Sequence, residues 1–170
     1  LSGQADPLQL LFPGGDLSST VKLYQESPFA KTYSGLVGQV VAEAVAELPG
    51  ERPLRVLEIG GGTGGTSSYL LPQLPANRSR YVFTDMSPLF LDRARQKFTT
   101  YPFMDFRLLN IENDPAAQGF VGEKFDLIVA ANVIHATADL RQTLGHVQQL
   151  LAPGGLLLML EMTHPIRWID

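Results

Sequence analysis

The sequence contains no cysteine. This absence excludes disulfide cross-links and metal centres built on thiolates, so we expect no zinc site, and it fits a reducing, cytoplasmic compartment. Positive charge is also scarce: 13 Lys and Arg face 17 Asp and Glu, for a formal net charge of -4. Because the basic residues are scattered rather than clustered, the composition speaks against nucleic acid or an anionic membrane surface as a partner.

Long apolar runs are missing as well. No stretch approaches the roughly 20 consecutive apolar residues that span a bilayer, and no signal-peptide pattern follows Leu1. The 170 residues, 45% of them hydrophobic, are enough to bury one core and too few for two ordinary domains. We interpret the chain as a non-membrane piece of a longer protein.

The N-terminal 48 residues predict a linker followed by a helix. Glycine, proline and a Leu-Ser-Ser-Thr run fill residues 1–20, whereas apolar residues recur at steps of three and four within 21–48 until Pro49-Gly50. We predict that residues 1–48 form a linker and a helical lid. Tyr24 and Tyr33 are candidates for covering a bound cofactor, and burial as ordinary helix aromatics is the alternative.

Residues 49–170 alternate short apolar runs with amphipathic stretches, the rhythm of βαβ units. We predict strands at 54–59, 81–84, 103–109, 125–131 and 156–160, and helices at 66–74, 88–98 and 138–151, the last ended by Pro153-Gly154-Gly155. Runs that are apolar on both faces belong in a parallel sheet covered by helices on each side. The expected fold is therefore α/β: a doubly wound, mostly parallel, Rossmann-like sheet.

The densest signal is a glycine loop between the first strand and the first helix, where five of the six positions 60–65 are glycine. Gly60, Gly62 and Gly65 match the G-x-G-x-x-G pattern of dinucleotide-binding proteins. Glu58 with Gly60, Gly62 and Gly64 matches the E-x-G-x-G-x-G pattern of methyltransferases. Glycines serving only a tight turn are the third reading.

Two acidic residues bear on this choice. Asp85 ends the second strand, and a carboxylate there suits the ribose hydroxyls of either cofactor. Glu58 favours a ligand that carries an ammonium group, as S-adenosylmethionine does, because it would repel a pyrophosphate. The predicted cofactor contacts are therefore Glu58, Gly60, Gly61, Gly62, Thr63, Gly64 and Asp85. Asn110, Ile111 and Glu112, after the third strand, are candidates for the adenine edge, with an ordinary turn as the alternative.

A general base is predicted after the fourth strand, in the loop that carries Asn132 and His135. Glu161 ends the fifth strand, and neighbouring strands would bring the two segments within reach. Neutral histidine takes a proton near pH 7, and a carboxylate on its other nitrogen fixes the tautomer. A structural histidine, with Glu161 paired to Arg167, is the alternative, and we assign His146 and His164 to structure or surface.

Four segments together resemble the methyltransferase domains of modular polyketide synthases, within the class I S-adenosylmethionine-dependent superfamily: LEIGGGTGGT (57–66), YVFTDMS (81–87), AANVIHAT (130–137) and LAPGGLLLMLE (151–161). The resemblance covers roughly residues 5–170. It implies that His135 is the base and Glu161 its partner, and that Met86 and Asn132 join the cofactor contacts. Asn110 departs from the family, which commonly has aspartate there.

The resemblance also implies a reaction. We expect methylation of the α-carbon of a β-ketoacyl chain held by phosphopantetheine on an acyl carrier protein, with S-adenosylhomocysteine as product and neighbouring synthase domains as partners. O-methylation of a hydroxyl on such a chain, a nicotinamide-dependent oxidoreductase and an inactive scaffold remain alternatives. Class I methyltransferases usually add a helix and an antiparallel strand pair, so we expect a sheet that is incomplete at its C-terminal end and exposes apolar surface along the fifth strand.

Overall fold

A computed structural model describes residues 28–48 and 51–161. Its centre is one five-stranded sheet with the order β3-β2-β1-β4-β5, in which every pair of neighbours is parallel. The strands are β1 (Leu54–Ile59), β2 (Ser79–Asp85), β3 (Met104–Leu108), β4 (Phe125–Ala131) and β5 (Leu151–Leu160). The chain moves outward from β1 to β3 and then returns to the other side of β1. The carboxyl ends of β1 and β4 therefore flank the switch point at which open α/β sheets bind ligands.

Within the described residues, four helices cover the sheet: α1 (Pro28–Ala46), α2 (Ser67–Leu70), α3 (Pro88–Lys97) and α4 (Leu140–Leu150). Shorter 3₁₀ turns lie at Leu71–Gln73, Ala116–Gln118 and Ile134–Ala136. Pro88 occupies the first turn of α3, where its missing N–H is harmless. Asp139 caps α4 by accepting a hydrogen bond from the backbone N–H of Gln142 at 3.0 Å.

The strands bury side chains on both faces, which gives two core clusters. Val56 of β1 belongs to the cluster that includes Val41 of α1 and Leu70 of α2. Its neighbour Leu57 points to the opposite face and belongs to the cluster that includes Val147 of α4. A parallel sheet with helices on both faces confirms the predicted doubly wound fold.

Two predicted boundaries were wrong, and each has a physical cause. The helix predicted at 66–74 changes to a 3₁₀ turn after Leu70, because Pro72 has no N–H to continue the α-helical ladder. The strand predicted at 156–160 begins at Leu151, and Pro153-Gly154-Gly155 lies inside it. Between the pairs Phe125–Leu151 and Leu127–Leu156 the register shifts, so the glycines form a bulge rather than a helix end.

The described part of the predicted lid is α1, whose buried Val37 and Val41 share a core cluster with β1. Tyr33 lies on α1 and is partly exposed, while Tyr24 lies outside the described residues, so the lid function stays a prediction. Exposed Leu156 and Met159 confirm the expected apolar surface along β5 in the part of the chain that is described. None of the helices within 28–48 and 51–161 has the length and apolar character needed to cross a membrane.

Candidate active site

The glycine loop leaves β1 with a backbone that few other residues could adopt. Gly60, Gly62 and Gly64 have φ values of 63°, 54° and 71°, in the left-handed region that side chains with a β-carbon avoid. A β-carbon built on Gly61 would lie 2.2 Å from the ring of Phe83. At Gly62, by contrast, the nearest atom to such a carbon would be 3.9 Å away, so this glycine leaves room for a ligand to approach the backbone.

Asp85 ends β2 directly beside this loop. One carboxylate oxygen accepts a hydrogen bond from the N–H of Gly62 at 2.9 Å, and the other accepts one from the N–H of Ser87 at 2.8 Å. Burial raises the pKa of Asp85, and these backbone donors act in the opposite direction. Met86, the next residue, is 68% exposed. The strand tip therefore presents a fixed carboxylate beside an exposed apolar side chain.

Glu58 lies beneath the loop rather than in it. Its carboxylate is buried and accepts hydrogen bonds from Ser67 Oγ at 2.5 Å and from the Tyr81 hydroxyl at 2.7 Å. Burial raises the pKa of Glu58, and the two hydrogen bonds lower it in part. These contacts tie β1 to α2 and β2, and the predicted contact between Glu58 and a ligand ammonium stays a prediction.

The predicted base and its carboxylate meet at the ends of β4 and β5. Glu161 Oε1 accepts hydrogen bonds from the backbone N–H groups of Val133 at 3.2 Å and Ile134 at 2.7 Å. Glu161 Oε2 contacts His135 Nδ1. The side chain of His135 is 47% exposed. Because Nδ1 is engaged by the carboxylate, Nε2 is the ring nitrogen that can take a proton from a substrate.

Asn132 gives the loop after β4 its direction. It has a φ of 56°, in the left-handed region that asparagine tolerates better than most residues. Its N–H donates to the carbonyl of Leu160 at 2.7 Å, which holds the loop against β5. Its Oδ1 is buried and has no hydrogen-bond partner among the described residues. A ligand contact at this atom stays a prediction.

The loop that carries the predicted base touches the glycine loop. A β-carbon built on Gly60 would lie 2.5 Å from Cγ2 of Val133. The segment after β3 contacts the loop after β4, because Glu112 Oε1 accepts a hydrogen bond from the N–H of Ala138 at 2.6 Å. Asn110 Oδ1 in turn accepts one from the N–H of Glu112 at 3.0 Å. The structure thus brings the predicted residues after β1, β3 and β4 to one edge of the sheet.

The family described as "methyltransferase domain" matches residues 57–157. The chain belongs to this methyltransferase family. This membership makes it a methyltransferase domain and sets the nicotinamide-dependent alternative aside.

Solved structures agree with the assignment. The CurJ carbon methyltransferase is 50% identical with a TM-score of 0.91, over 99% of this chain and 45% of that one. The C-methyltransferase (CMeT) domain of the citrinin polyketide synthase is 36% identical with a TM-score of 0.85, over 98% of this chain and 44% of that one. The methyltransferase is also 38% identical, over its whole length, to the non-reducing polyketide synthase ausA of Penicillium brasilianum, and spans 7% of that protein.

Sequence reasoning missed Lys97, which holds the glycine loop of the methyltransferase from below. Its Nζ donates to the carbonyls of Thr63 at 3.2 Å and Gly64 at 3.0 Å. Burial lowers the pKa of Lys97, and the charge of Glu58 raises it in part. A cation at the last residue of α3 also suits the negative end of the helix dipole. The place of Lys97 at the end of a predicted helix is the only hint that the sequence offers, and it does not show that the glycine loop is the partner of this side chain.

The buried carboxyl of Glu58 predicts a pH dependence of stability. Burial raises the pKa of Glu58 above 4.5 in the folded protein. Between about pH 4.5 and this raised pKa, the folded state therefore holds a proton that the unfolded chain has released. Stability is then lost as the pH rises from about 4.5 through the raised pKa. Glutamine at this position does not titrate, so the Glu58→Gln variant does not lose stability in this way. We therefore expect its free energy of unfolding, relative to that of the wild type, to rise as the pH increases through this range. Urea unfolding at a series of pH values measures the difference, and a pH-independent difference would contradict the raised pKa.

Proposed function

We propose that the methyltransferase adds a methyl group to the α-carbon of a β-ketoacyl chain, held by phosphopantetheine on the acyl carrier protein of a polyketide synthase. The pairing of His135 with Glu161 beside the glycine loop is the observation that carries this proposal, since carbon methylation needs a base at the methyl-donor site. Its relatives are polyketide synthases, and the CurJ, DszA and citrinin synthase neighbours are carbon methyltransferases. Neighbouring synthase domains are the proposed partners in the natural chain.

The residues at the sheet edge fit S-adenosylmethionine. Gly62 leaves space beside its backbone, and the Asp85 carboxylate is fixed next to it to accept hydrogen bonds from ribose hydroxyls. Exposed Met86 offers an apolar surface to the adenine, while Asn110–Glu112 and Asn132 complete the proposed pocket. A related trans-methyltransferase, CalH, was solved with S-adenosylhomocysteine and is 35% identical to this chain. When bound, this cofactor supplies a methyl group on a sulfonium sulfur.

His135 acts as the base in this proposal. The α-carbon lies between two carbonyls, which make its proton acidic, and His135 Nε2 accepts that proton. The carboxylate of Glu161 stabilises the imidazolium that results. Two backbone N–H groups hold Glu161 in place, so the imidazole is oriented before the substrate arrives. The remaining contribution of the protein is alignment, which can supply several kcal/mol.

O-methylation is the second candidate function, because the same dyad would deprotonate a hydroxyl. The carbon methyltransferases among the neighbours favour carbon. The O-methyltransferase-family neighbour is 24% identical, so it supports the fold alone.

Product analysis separates these functions. The domain in its full natural chain is incubated with S-adenosylmethionine and one of three pantetheine thioesters: β-ketoacyl, α,α-dimethyl-β-ketoacyl or β-hydroxyacyl. We expect mass spectrometry to show methylation of the first alone, because the second has no acidic α-proton and the third lacks the second carbonyl. Methylation of the β-hydroxyacyl thioester would favour the O-methyl alternative. Absence of any product, with wild-type cofactor binding, would favour an inactive scaffold.

A further inference from the structure

A second histidine, His146 on α4, contacts the segment that follows β3. Its side chain is buried, and Nδ1 lies 2.8 Å from the carbonyl oxygen of Ile111. A carbonyl oxygen only accepts hydrogen bonds, so Nδ1 must carry the hydrogen. Ile111 is itself buried, and its carbonyl would lose this partner if the ring were replaced by an apolar side chain.

Among the described residues, this hydrogen bond is one of two that join residues 110–112, after β3, to the chain between β4 and the end of α4. Glu112, next to Ile111, accepts the N–H of Ala138 at 2.6 Å. Ala138 lies between the turn that carries His135 and the first residue of α4. The segment after β3 is therefore fastened at two points to the chain that runs from the proposed base into α4.

The segment after β3 is also held internally, so it can transmit a displacement. The N–H of Asn110 donates to Gln118 Oε1 at 2.8 Å, and Gln118 Nε2 donates back to the carbonyl of Asn110 at 2.9 Å. Asn110 and Glu112 are also hydrogen-bonded to each other, so residues 110–112 have few free backbone torsions. Moving Ile111 would therefore move the whole proposed adenine contact.

We infer that His146 is a positioning residue for the cofactor: it holds Ile111 so that residues 110–112 keep the geometry that the adenosyl group needs. This inference rests on the proposed function, which places S-adenosylmethionine against the same segment. His146 itself does not touch the reacting atoms. Its loss should weaken cofactor binding and leave the chemical step of the bound complex largely intact.

Two substitutions of His146 test this in the full natural chain. Asparagine keeps a side-chain N–H near the place of Nδ1, whereas leucine keeps bulk without a donor. We expect His146→Leu to raise the Kd for S-adenosylhomocysteine and the KM for S-adenosylmethionine about tenfold, with kcat within about threefold, because residues 110–112 would have to be reordered each time the cofactor binds. His146→Asn should restore most of the affinity. Equal affinities for wild type and His146→Leu would overturn the inference.

A stability control separates positioning from general loosening. Leu150→Ala removes a buried side chain from the same helix and should lower stability while leaving the Kd for S-adenosylhomocysteine unchanged. If it weakened binding as much as His146→Leu, the role of His146 would be merely structural. Failure of wild-type protein to bind S-adenosylhomocysteine would instead contradict the proposed function.

A measurement on the wild type keeps the test available if His146→Leu does not fold. Hydrogen exchange at the amide of Ala138, which donates to Glu112, should slow when S-adenosylhomocysteine binds. The two fastened segments would then be stabilised together. Unchanged exchange at Ala138 on ligand binding would overturn the inference.

Discussion

His135→Ala should lower turnover by about 10²- to 10⁴-fold while leaving binding of S-adenosylhomocysteine within about twofold of wild type. The His135 imidazole lies in the loop after β4 beside the glycine loop, and its Nδ1 is engaged by Glu161. Removing it takes away the acceptor for the α-proton without touching the glycine loop or Asp85. Single-turnover methylation of a β-ketoacyl pantetheine thioester and calorimetric titration of the product cofactor measure the two effects separately.

Glu161→Gln is the matched variant for this prediction. A glutamine oxygen can still accept the N–H groups of Val133 and Ile134, so the loop should keep its shape. The negative charge that stabilises the imidazolium is lost, and we expect turnover to fall by about 10²-fold or more with cofactor affinity retained. Undiminished methylation by His135→Ala would contradict the proposed base. Loss of cofactor binding in either variant would show that the dyad supports the pocket instead.

The site could be predicted where it depends on strand order. His135 and Glu161 lie 26 positions apart in the chain, yet each comes shortly after the end of an apolar strand. In a doubly wound sheet the fourth and fifth strands are neighbours, and their pairing in the structure brings the two side chains together. The same argument placed Asp85 beside the glycine loop, because β1 and β2 are neighbours as well.

The other contacts of the site could not be predicted. They depend on which side of a strand or helix a polar residue faces, and the spacing of apolar residues does not show that. Glu58 could be recognised as an acid at a strand end. Its partners Ser67 and Tyr81 could not, because they belong to two different elements and read as a helix start and a strand aromatic. His146 falls among the apolar positions of α4, which predicts only a structural or surface role, and its bond to Ile111 depends on where α4 crosses the sheet.

Gly61→Ala should reduce the free energy of unfolding by about 3 kcal/mol and lower Tm by about 10 °C, the consequence of overpacking a rigid interior. Gly61 does not have a positive φ, so its conformation suits alanine. The obstacle is space: the added carbon would lie 2.2 Å from Cε2 of Phe83. Because Phe83 is fully buried in β2, its ring cannot rotate into solvent, and the loop must move instead.

Two further variants isolate this clash in thermal and urea unfolding. Gly35→Ala, on helix α1, has no atom within 4 Å of the new carbon, so it should stabilise the protein by about 0.5–1 kcal/mol. Phe83→Leu combined with Gly61→Ala should cost less than the sum of the two single changes, since the smaller side chain makes room. If Gly61→Ala were as stable as the wild type, the loop would not rest on Phe83. Since the loop rather than Phe83 has to move, the same variant should also bind S-adenosylhomocysteine more weakly than Gly35→Ala does, which links the packing beneath the loop to the cofactor above it.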